Sequence, residues 1–157
     1  MYDYSEIFIY INTNGDLIGI PCGVNPHVEN GIMKLNIFHT LPTKFNDDEL
    51  EMFLSNVFND CYSKVGTHDE PTAIQLYTKK KTHVSAVKGL KLVLISKNED
   101  KGYEVMPMIP DKKHNGAFID IKGLSIKLTM FNKFRPIEKG ALALAFKTAL
   151  GVVDSVS

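Results

Sequence analysis

A dense group of carboxylates is the first feature of this sequence that could take part in a chemical reaction. "FNDDELEMFLSNVFNDCY" (residues 45–62) places Asp47, Asp48, Glu49 and Glu51 directly ahead of a hydrophobic run. Paired carboxylates can act as general acid and base when they share a cleft but have different surroundings. Nothing in the flanking sequence indicates such a buried pair, and the positive end of a helix dipole stabilises first-turn acids by about 0.3–1 kcal/mol. We therefore predict that Asp47, Asp48 and Glu49 are structural.

Two further acids of the same segment need another explanation. Glu51 lies beyond the first turn and Asp60 lies near the other end, where the helix dipole does not favour a negative charge. Together with Asp48 they make the face opposite the apolar stripe acidic. This face is either a solvated surface or a contact for a basic partner. Glu29, in a loop predicted over residues 23–30, is a second acidic position for such a contact.

A basic segment, "KKKTHVSAVKGLK" (residues 79–91), suggests a different partner. Lys79–Lys81, with Lys88 and Lys91, could contact nucleic-acid phosphates. Nucleic-acid-binding domains usually add a basic net charge or an aromatic platform. Here the formal net charge is zero and Tyr77 is the aromatic residue nearby. A solvated turn is the alternative interpretation.

The other reactive side chains do not form a known catalytic or metal-binding motif. The five histidines are scattered, and Cys22 and Cys61 lie far apart in apolar surroundings, which is typical of reduced, buried thiols. Neither G-x-S-x-G nor G-x-G-x-x-G spacing occurs. We predict no catalytic residue, no cofactor and no metal ion; an enzyme of unrecognised type is the alternative.

The amino terminus and the hydropathy pattern indicate where the protein acts. "MYDYSEIFIYIN" carries acids where a secretory signal has basic residues, and no apolar run reaches the roughly 18 residues of a membrane span. We predict a cytoplasmic protein.

The neutral total charge conceals an uneven distribution. Residues 1–71 contain eleven acids and three lysines, and residues 72–157 contain seven acids and fifteen bases, giving formal charges of −8 and +8. The molecule would steer a charged partner if its fold kept these halves on separate faces.

The elements that position these residues can be read from the hydrophobic periodicity. Residues 6–12, 17–22 and 31–41 predict a three-stranded meander whose first strand, apolar on both sides, lies inside a sheet. Asn14-Gly15 favours a two-residue hairpin turn, and Pro21 limits how far the second strand can pair. Further apolar segments follow, with turn-like residues 97–102 and 122–123 between antiparallel neighbours. These segments are residues 72–78, 90–96, 103–109, 117–121 and 124–130.

Two helices complete the pattern. The first spans residues 46–65, with Asn46 as cap, Glu49 as its capping-box partner and Gly66 as the stop. The second runs from Pro136 to about Leu150, contains Gly140, and has a narrow polar strip through Lys139, Ala143 and Lys147. We predict a single α+β domain over residues 1–157, with a largely antiparallel sheet and two main helices packed on it.

From about Thr82 to Leu150 the order of features resembles the immunity proteins of bacterial contact-dependent growth inhibition systems. The segments that carry the resemblance are "AVKGLKLVLIS", "YEVMPMIPD", "GAFIDI" and the closing "EKGALALAFKTAL". They cover less than half of the chain. The resemblance implies a protein that binds a toxin domain, commonly a nuclease, and blocks its active site or its access to substrate.

Such a role needs an interaction surface and no catalytic residues. A nuclease presents basic groups to its substrate, so complementary acids on an inhibitor increase specificity and association rate. The toxin-binding residues predicted on this hypothesis are Asp48, Glu51, Asp60 and Glu29. The alternative is a nucleic-acid-binding accessory protein that uses residues 79–91.

Overall fold

The computed structural model of the protein describes residues 2–130 and 137–156. Within these residues the chain forms eight β-strands and four α-helices. In order along the chain they are β1 (Tyr4–Ile11), β2 (Leu17–Val24), β3 (Ile32–Lys34), β4 (His39–Leu41), α1 (Asp47–Asn59), α2 (Ala73–Thr78), α3 (His83–Val87), β5 (Lys91–Asn98), β6 (Gly102–Pro110), β7 (Phe118–Asp120), β8 (Ile126–Thr129) and α4 (Ala141–Val156).

The strands form one antiparallel sheet in the order β3-β2-β1-β5-β6-β7. β4 also pairs with β2 and β8 also pairs with β6, so two short strands occupy each outer position of the sheet. β1 lies between β2 and β5, as its two apolar faces predict. The predicted α+β class, with two main helices on a largely antiparallel sheet, is confirmed.

Each face of the sheet packs against its own pair of helices. The first face carries Ile7, Ile9 and Ile11 of β1 and packs against α1 and α4. The second face carries Tyr10 of β1 and packs against α2 and α3 through residues such as Ile74. Because successive residues of a strand point to opposite faces, β1 contributes to both hydrophobic clusters.

The amino-terminal half of α1 follows the sequence prediction. The side chain of Asn46 accepts a hydrogen bond from the Glu49 N–H, and the Glu49 carboxylate accepts one from the Asn46 N–H, which completes the capping box. Leu50 and Leu54 are fully buried against the first face of the sheet. The cap and the apolar stripe therefore act together to fix this end of the helix.

The predicted carboxyl end of this helix is wrong. The helix ends at Asn59, and Tyr62 has a left-handed φ of 62°. The Tyr62 N–H donates to the carbonyl of Cys22 and the Gly66 N–H donates to that of Val24, so the chain leaves the helix to bond with β2. Gly66 belongs to that connection and is not the helix stop.

The last helix begins later and ends later than predicted. It spans Ala141–Val156, and the predicted start at Pro136 lies outside the described residues. Gly140 precedes the helix with a φ of +86°, a conformation that favours glycine over other residues. Ala143 is fully buried, and the exposed strip runs instead through Leu144, Lys147 and Thr148.

The apolar segment at residues 72–78, for which the sequence pattern predicts no helix, contains helix α2 (Ala73–Thr78). Thr72 and Gln75 make a second capping box, so the T-x-x-Q spacing is the local signal for α2. Thr82 caps α3 by accepting a hydrogen bond from the Ser85 N–H. Both helices are short, and their buried residues face the second side of the sheet.

The sheet edges and the first hairpin also differ from the sequence prediction. Residues 31–41 form two short strands, and the strands on either side of residues 122–123 both pair with β6 instead of with each other. The β1–β2 hairpin is present but has a five-residue loop, residues 12–16. The Asn12 side chain accepts the N–H groups of Asn14 and Asp16 and so replaces the expected two-residue turn.

Truncation of Leu54 tests the packing of α1 on the sheet. Because this side chain is fully buried, we expect Leu54→Ala to lower the free energy of unfolding by about 2–5 kcal/mol in urea denaturation. Met52→Ala is the matched control, since Met52 lies on the same helix and is 67% exposed; its effect should stay within about 0.5 kcal/mol. Equal midpoints for both variants would contradict the assigned helix face.

Candidate partner-binding surfaces

The acids in the first turn of α1 have lysine partners on or beside α4. Asp47 Oδ1 lies 2.7 Å from Lys147 Nζ, and Asp48 Oδ1 lies 3.6 Å from Lys139 Nζ. The Asp48 and Lys139 side chains are 79% and 85% exposed, so this pair contributes at most about 1 kcal/mol. The carboxylates are therefore balanced by charge from the later half of the sequence.

Glu51 has a structural role that the sequence did not indicate. Its Oε1 accepts a hydrogen bond of 3.2 Å from the Ala143 N–H, in the first turn of α4. The residue that precedes this helix, Gly140, has no side chain that could cap it. Glu51 supplies the missing acceptor from a neighbouring helix, and its negative charge lies at the positive end of the α4 dipole.

Asp60 is also engaged within the fold. Its Oδ2 lies 2.6 Å from His39 Nε2, which joins the carboxyl end of α1 to β4. Both side chains are partly exposed. The contact places a positive or hydrogen-bonding group beside an acid that the dipole of α1 does not stabilise.

Glu29 is fully on the surface. It lies in the loop between β2 and β3, where Asn25 accepts a hydrogen bond from the His27 N–H and the Gly31 N–H donates to the Val28 carbonyl. Of the four acids predicted to bind a toxin, Asp48 and Glu29 are exposed, whereas Glu51 and Asp60 are partly buried and bonded within the fold.

The acidic and basic halves of the sequence do not form separate faces. β1, from the acidic half, pairs along its full length with β5, from the basic half. The lysines beside Asp47 and Asp48 likewise come from the basic half. The condition for a large dipole between the two halves is therefore not met.

The basic segment is exposed, but its aromatic neighbour is occupied. Lys79 ends α2 with a φ of 58°, and Lys80 and Lys81 follow on the surface. Tyr77 is partly buried, accepts a hydrogen bond from Asn12 and packs edge-on against Phe38. Its ring therefore does not serve as an open stacking platform.

A groove opens between β1–β3 and residues 67–72. Lys34 lies in it, with Nζ 4.8 Å from the centre of the Phe8 ring and 3.1 Å from the Tyr10 hydroxyl, to which it donates. Burial lowers the pKa of Lys34 and raises the pKa of the Tyr10 hydroxyl. Glu6 and Glu70 line the same groove.

The second face of the sheet is only partly covered by α2 and α3. At the edge of this second cluster lie two cross-strand rows that span β1, β5 and β6, and we call these rows the open face. Its members are paired in register and partly buried, except for the more deeply buried Ser96. They are the apolar row Phe8, Leu94 and Met106 and the polar row Glu6, Ser96 and Glu104. The apolar row packs against the cluster and is also partly exposed.

Comparisons with protein-family models and with curated proteins find no match to the sequence. Solved structures do match. A protein of unknown function from Neisseria meningitidis has a TM-score of 0.66 at 12% identity, with 95% of this chain and 94% of that chain covered. A chain of a CdiA-CT/CdiI toxin and immunity complex from Yersinia pseudotuberculosis has a TM-score of 0.61 at 15% identity, with 96% and 97% covered. This chain shares their fold.

The described residues offer few other site types. Across residues 2–130 and 137–156, no helix is long and apolar enough to cross a membrane. The same residues contain no group of three or more His, Cys, Asp or Glu side chains that could hold a metal ion.

The sequence pattern does not predict the open face. It indicates that β1 is apolar on both sides, but Glu6 shares the side of Phe8 and Tyr10. An acid on the same side as two aromatic residues was the available signal for incomplete cover. The second acid, Glu104, reaches the same row only through the pairing of β5 with β6.

Loss of the Glu51 carboxylate should weaken the start of α4. We expect Glu51→Gln to lower the free energy of unfolding by about 0.5–2 kcal/mol, because the Ala143 N–H loses a charged acceptor. Chemical denaturation would measure this, with Met52→Gln as the control at an exposed position of the same helix, where the free energy of unfolding should change by less than about 0.5 kcal/mol. If both variants match wild type, Glu51 does not stabilise α4.

Proposed function

We propose that this protein is a non-enzymatic immunity protein that binds a toxin domain and neutralises it. The observation that carries the proposal is the shared fold with a chain of a toxin and immunity complex, which extends over 96% of this chain and 97% of that chain. The resemblance of residues 82–150 to immunity proteins of contact-dependent growth inhibition is an independent, sequence-level argument for the same role.

A nuclease is the toxin class that the proposal favours. A nuclease carries basic groups where it binds RNA or DNA, and an inhibitor gains specificity and association rate from acids that face them. Glu29 and Asp48 are exposed acids, and Glu6 and Glu104 are acids on the open face. The assignment of Asp48, Glu51, Asp60 and Glu29 to the toxin contact stays a prediction, with Glu51 and Asp60 also bonded within the fold.

The surroundings of the reactive side chains agree with a non-enzymatic role. Burial raises the pKa of the Cys22 thiol, so this residue stays protonated and is a weak nucleophile. Burial raises the pKa of Cys61 as well. The Lys34 amine has a lowered pKa, but it donates to the Tyr10 hydroxyl and rests on an aromatic ring.

Co-expression tests the proposal directly. The probe is the carboxyl-terminal domain of the protein encoded immediately upstream of this gene, expressed in the bacterial cytoplasm with and without this chain. We expect that domain alone to arrest growth and this chain to restore it. Purified, the two should form a stable complex and this chain should suppress cleavage of RNA or DNA, whereas an unrelated nuclease should be unaffected. Growth arrest without rescue would contradict the proposal.

The rival function is nucleic-acid binding through the basic segment, because Lys79–Lys81 and Lys88 are exposed and form no ion pair within the described residues. Under the immunity proposal, tRNA and duplex DNA should show no specific mobility shift with the wild-type protein at 0.15 M salt. A salt-dependent shift that disappears when Lys79–Lys81 are changed to Gln would instead support the rival.

A further inference from the structure

The open face combines an apolar row with acids that have no ion-pair partner among residues 2–130 and 137–156. Phe8, Leu94 and Met106 pair in register across three neighbouring strands, and each is partly exposed. Neighbouring strands lie about 4.8 Å apart, so this row presents roughly 10 Å of contiguous apolar surface. Apolar side chains that adjoin one another on a surface are typical of interaction sites.

The polar row differs from the acids of α1 in its electrostatic surroundings. Glu6 accepts a 2.7 Å hydrogen bond from the Tyr4 hydroxyl, a neutral group. Glu104 is the cross-strand neighbour of Lys127, yet neither Glu6 nor Glu104 has a cationic atom within 4.0 Å among the residues that the structure describes. In contrast, a lysine or histidine pairs with Asp47 and Asp48 of α1 and with Asp60, the residue that follows its carboxyl end.

The nearby cation does not neutralise this row. Lys34 lies on the same side of the sheet, at the groove that Glu6 also lines. Its ammonium instead donates to the Tyr10 hydroxyl and rests on the Phe8 ring. The carboxylate of Glu70, on the far wall of that groove, accepts a hydrogen bond from Asn36 and adds a third negative group.

We propose that the open face is the principal toxin contact, and that it takes a basic segment of the toxin domain. An apolar side chain of that segment packs on Phe8, Leu94 and Met106, and a lysine or arginine beside it pairs with Glu6 and Glu104. This inference rests on the proposed immunity function. Carboxylates that are already partly buried lose less hydration on binding than fully exposed ones. An ion pair formed with them therefore contributes more to the binding free energy than an ion pair at an exposed rim.

Affinity measurements with matched variants test this proposal. The probe is the same upstream-encoded toxin domain, in catalytically inactive form, titrated against this chain at 0.05 and 0.3 M salt. We expect Glu6→Gln with Glu104→Gln to raise Kd at least about tenfold at low salt, with a smaller difference at high salt. Met106→Gln should weaken binding by a similar factor at both salt concentrations, because it removes apolar contact without a change of charge.

Two controls match these changes in chemistry. Glu138→Gln with Asp154→Asn removes two exposed acids outside the open face and outside the contact predicted from the sequence, and Met52→Gln changes an exposed methionine on α1. Both should bind within about twofold of wild type. Thermal unfolding of every variant shows whether it is folded. If Met106→Gln does not fold, the test uses Met106→Leu, which should keep the wild-type affinity, and Glu6→Gln with Glu104→Gln, which should reduce the affinity.

The outcomes separate the two hypotheses. If wild type binds and protects, and folded open-face variants bind like wild type, the open face is not the principal contact and the immunity function stands. If Asp48→Asn with Glu29→Gln weakens binding and the open-face variants do not, the contact is the one predicted from the sequence. If wild type neither binds nor protects, the immunity function itself fails, and the open-face proposal fails with it.

Discussion

The burial of β1 on both of its faces is the constraint on which the rest of the structure depends. Ile7, Ile9 and Ile11 on one face and Tyr10 on the other must all be removed from water, so the sheet needs a layer on each side. α1 and α4 supply the first layer and α2 and α3 supply the second. α2 and α3 are short, and the rows of Phe8 and Glu6, at the edge of the second cluster, remain partly exposed.

The two long helices are joined by charge as well as by apolar packing. Glu51 of α1 accepts from the backbone at the start of α4, and Asp47 pairs with Lys147. From the sequence, Glu51 is predicted to belong to a free acidic surface, whereas in the structure it is bonded within the fold. An acid bonded to a helix terminus or to a lysine attracts an external cation less, since part of its field is already compensated. Under the proposed function, Glu6 and Glu104, which have no ion-pair partner in the part of the chain that the structure describes, would therefore attract a basic partner more strongly.

A shared fold and an accessible, mixed surface together suit a protein that acts by binding. The chain in the Yersinia pseudotuberculosis complex is only 15% identical, so the common features are the order and packing of the elements. Side chains on a sheet face can vary without loss of such a fold, provided the residues beneath the helices stay apolar. Under the proposed immunity function, changes at residues such as Glu6, Met106 and Glu104 would alter the choice of partner while the fold is retained.

Local signals in the sequence determined a large part of this architecture. Three local features could be recognised without knowledge of the fold, because each depends on residues that are close in sequence. They are the alternation of β1, the apolar stripe from Leu50 to Val57 and the Asn46–Glu49 capping box. The stripe also continued through Cys61 and Val65 in sequence, but hydrogen bonds from Tyr62 and Gly66 to β2 ended the helix at Asn59. The division of the outer strands, with β7 and β8 both on β6, likewise required the three-dimensional arrangement.

The candidate site, too, could be predicted only in part from the sequence. Sequence located the acids of α1 and gave Asp47, Asp48 and Glu49 their place in the first turn, because a helix dipole acts over a few residues. It could not show that Glu51 meets Ala143, 92 positions away, or that Glu6 and Glu104 share one row through Ser96 of β5. Those relations arise from helix packing and strand register, which are set by the burial of the whole apolar core, and only the tertiary structure decides which charges remain without a partner.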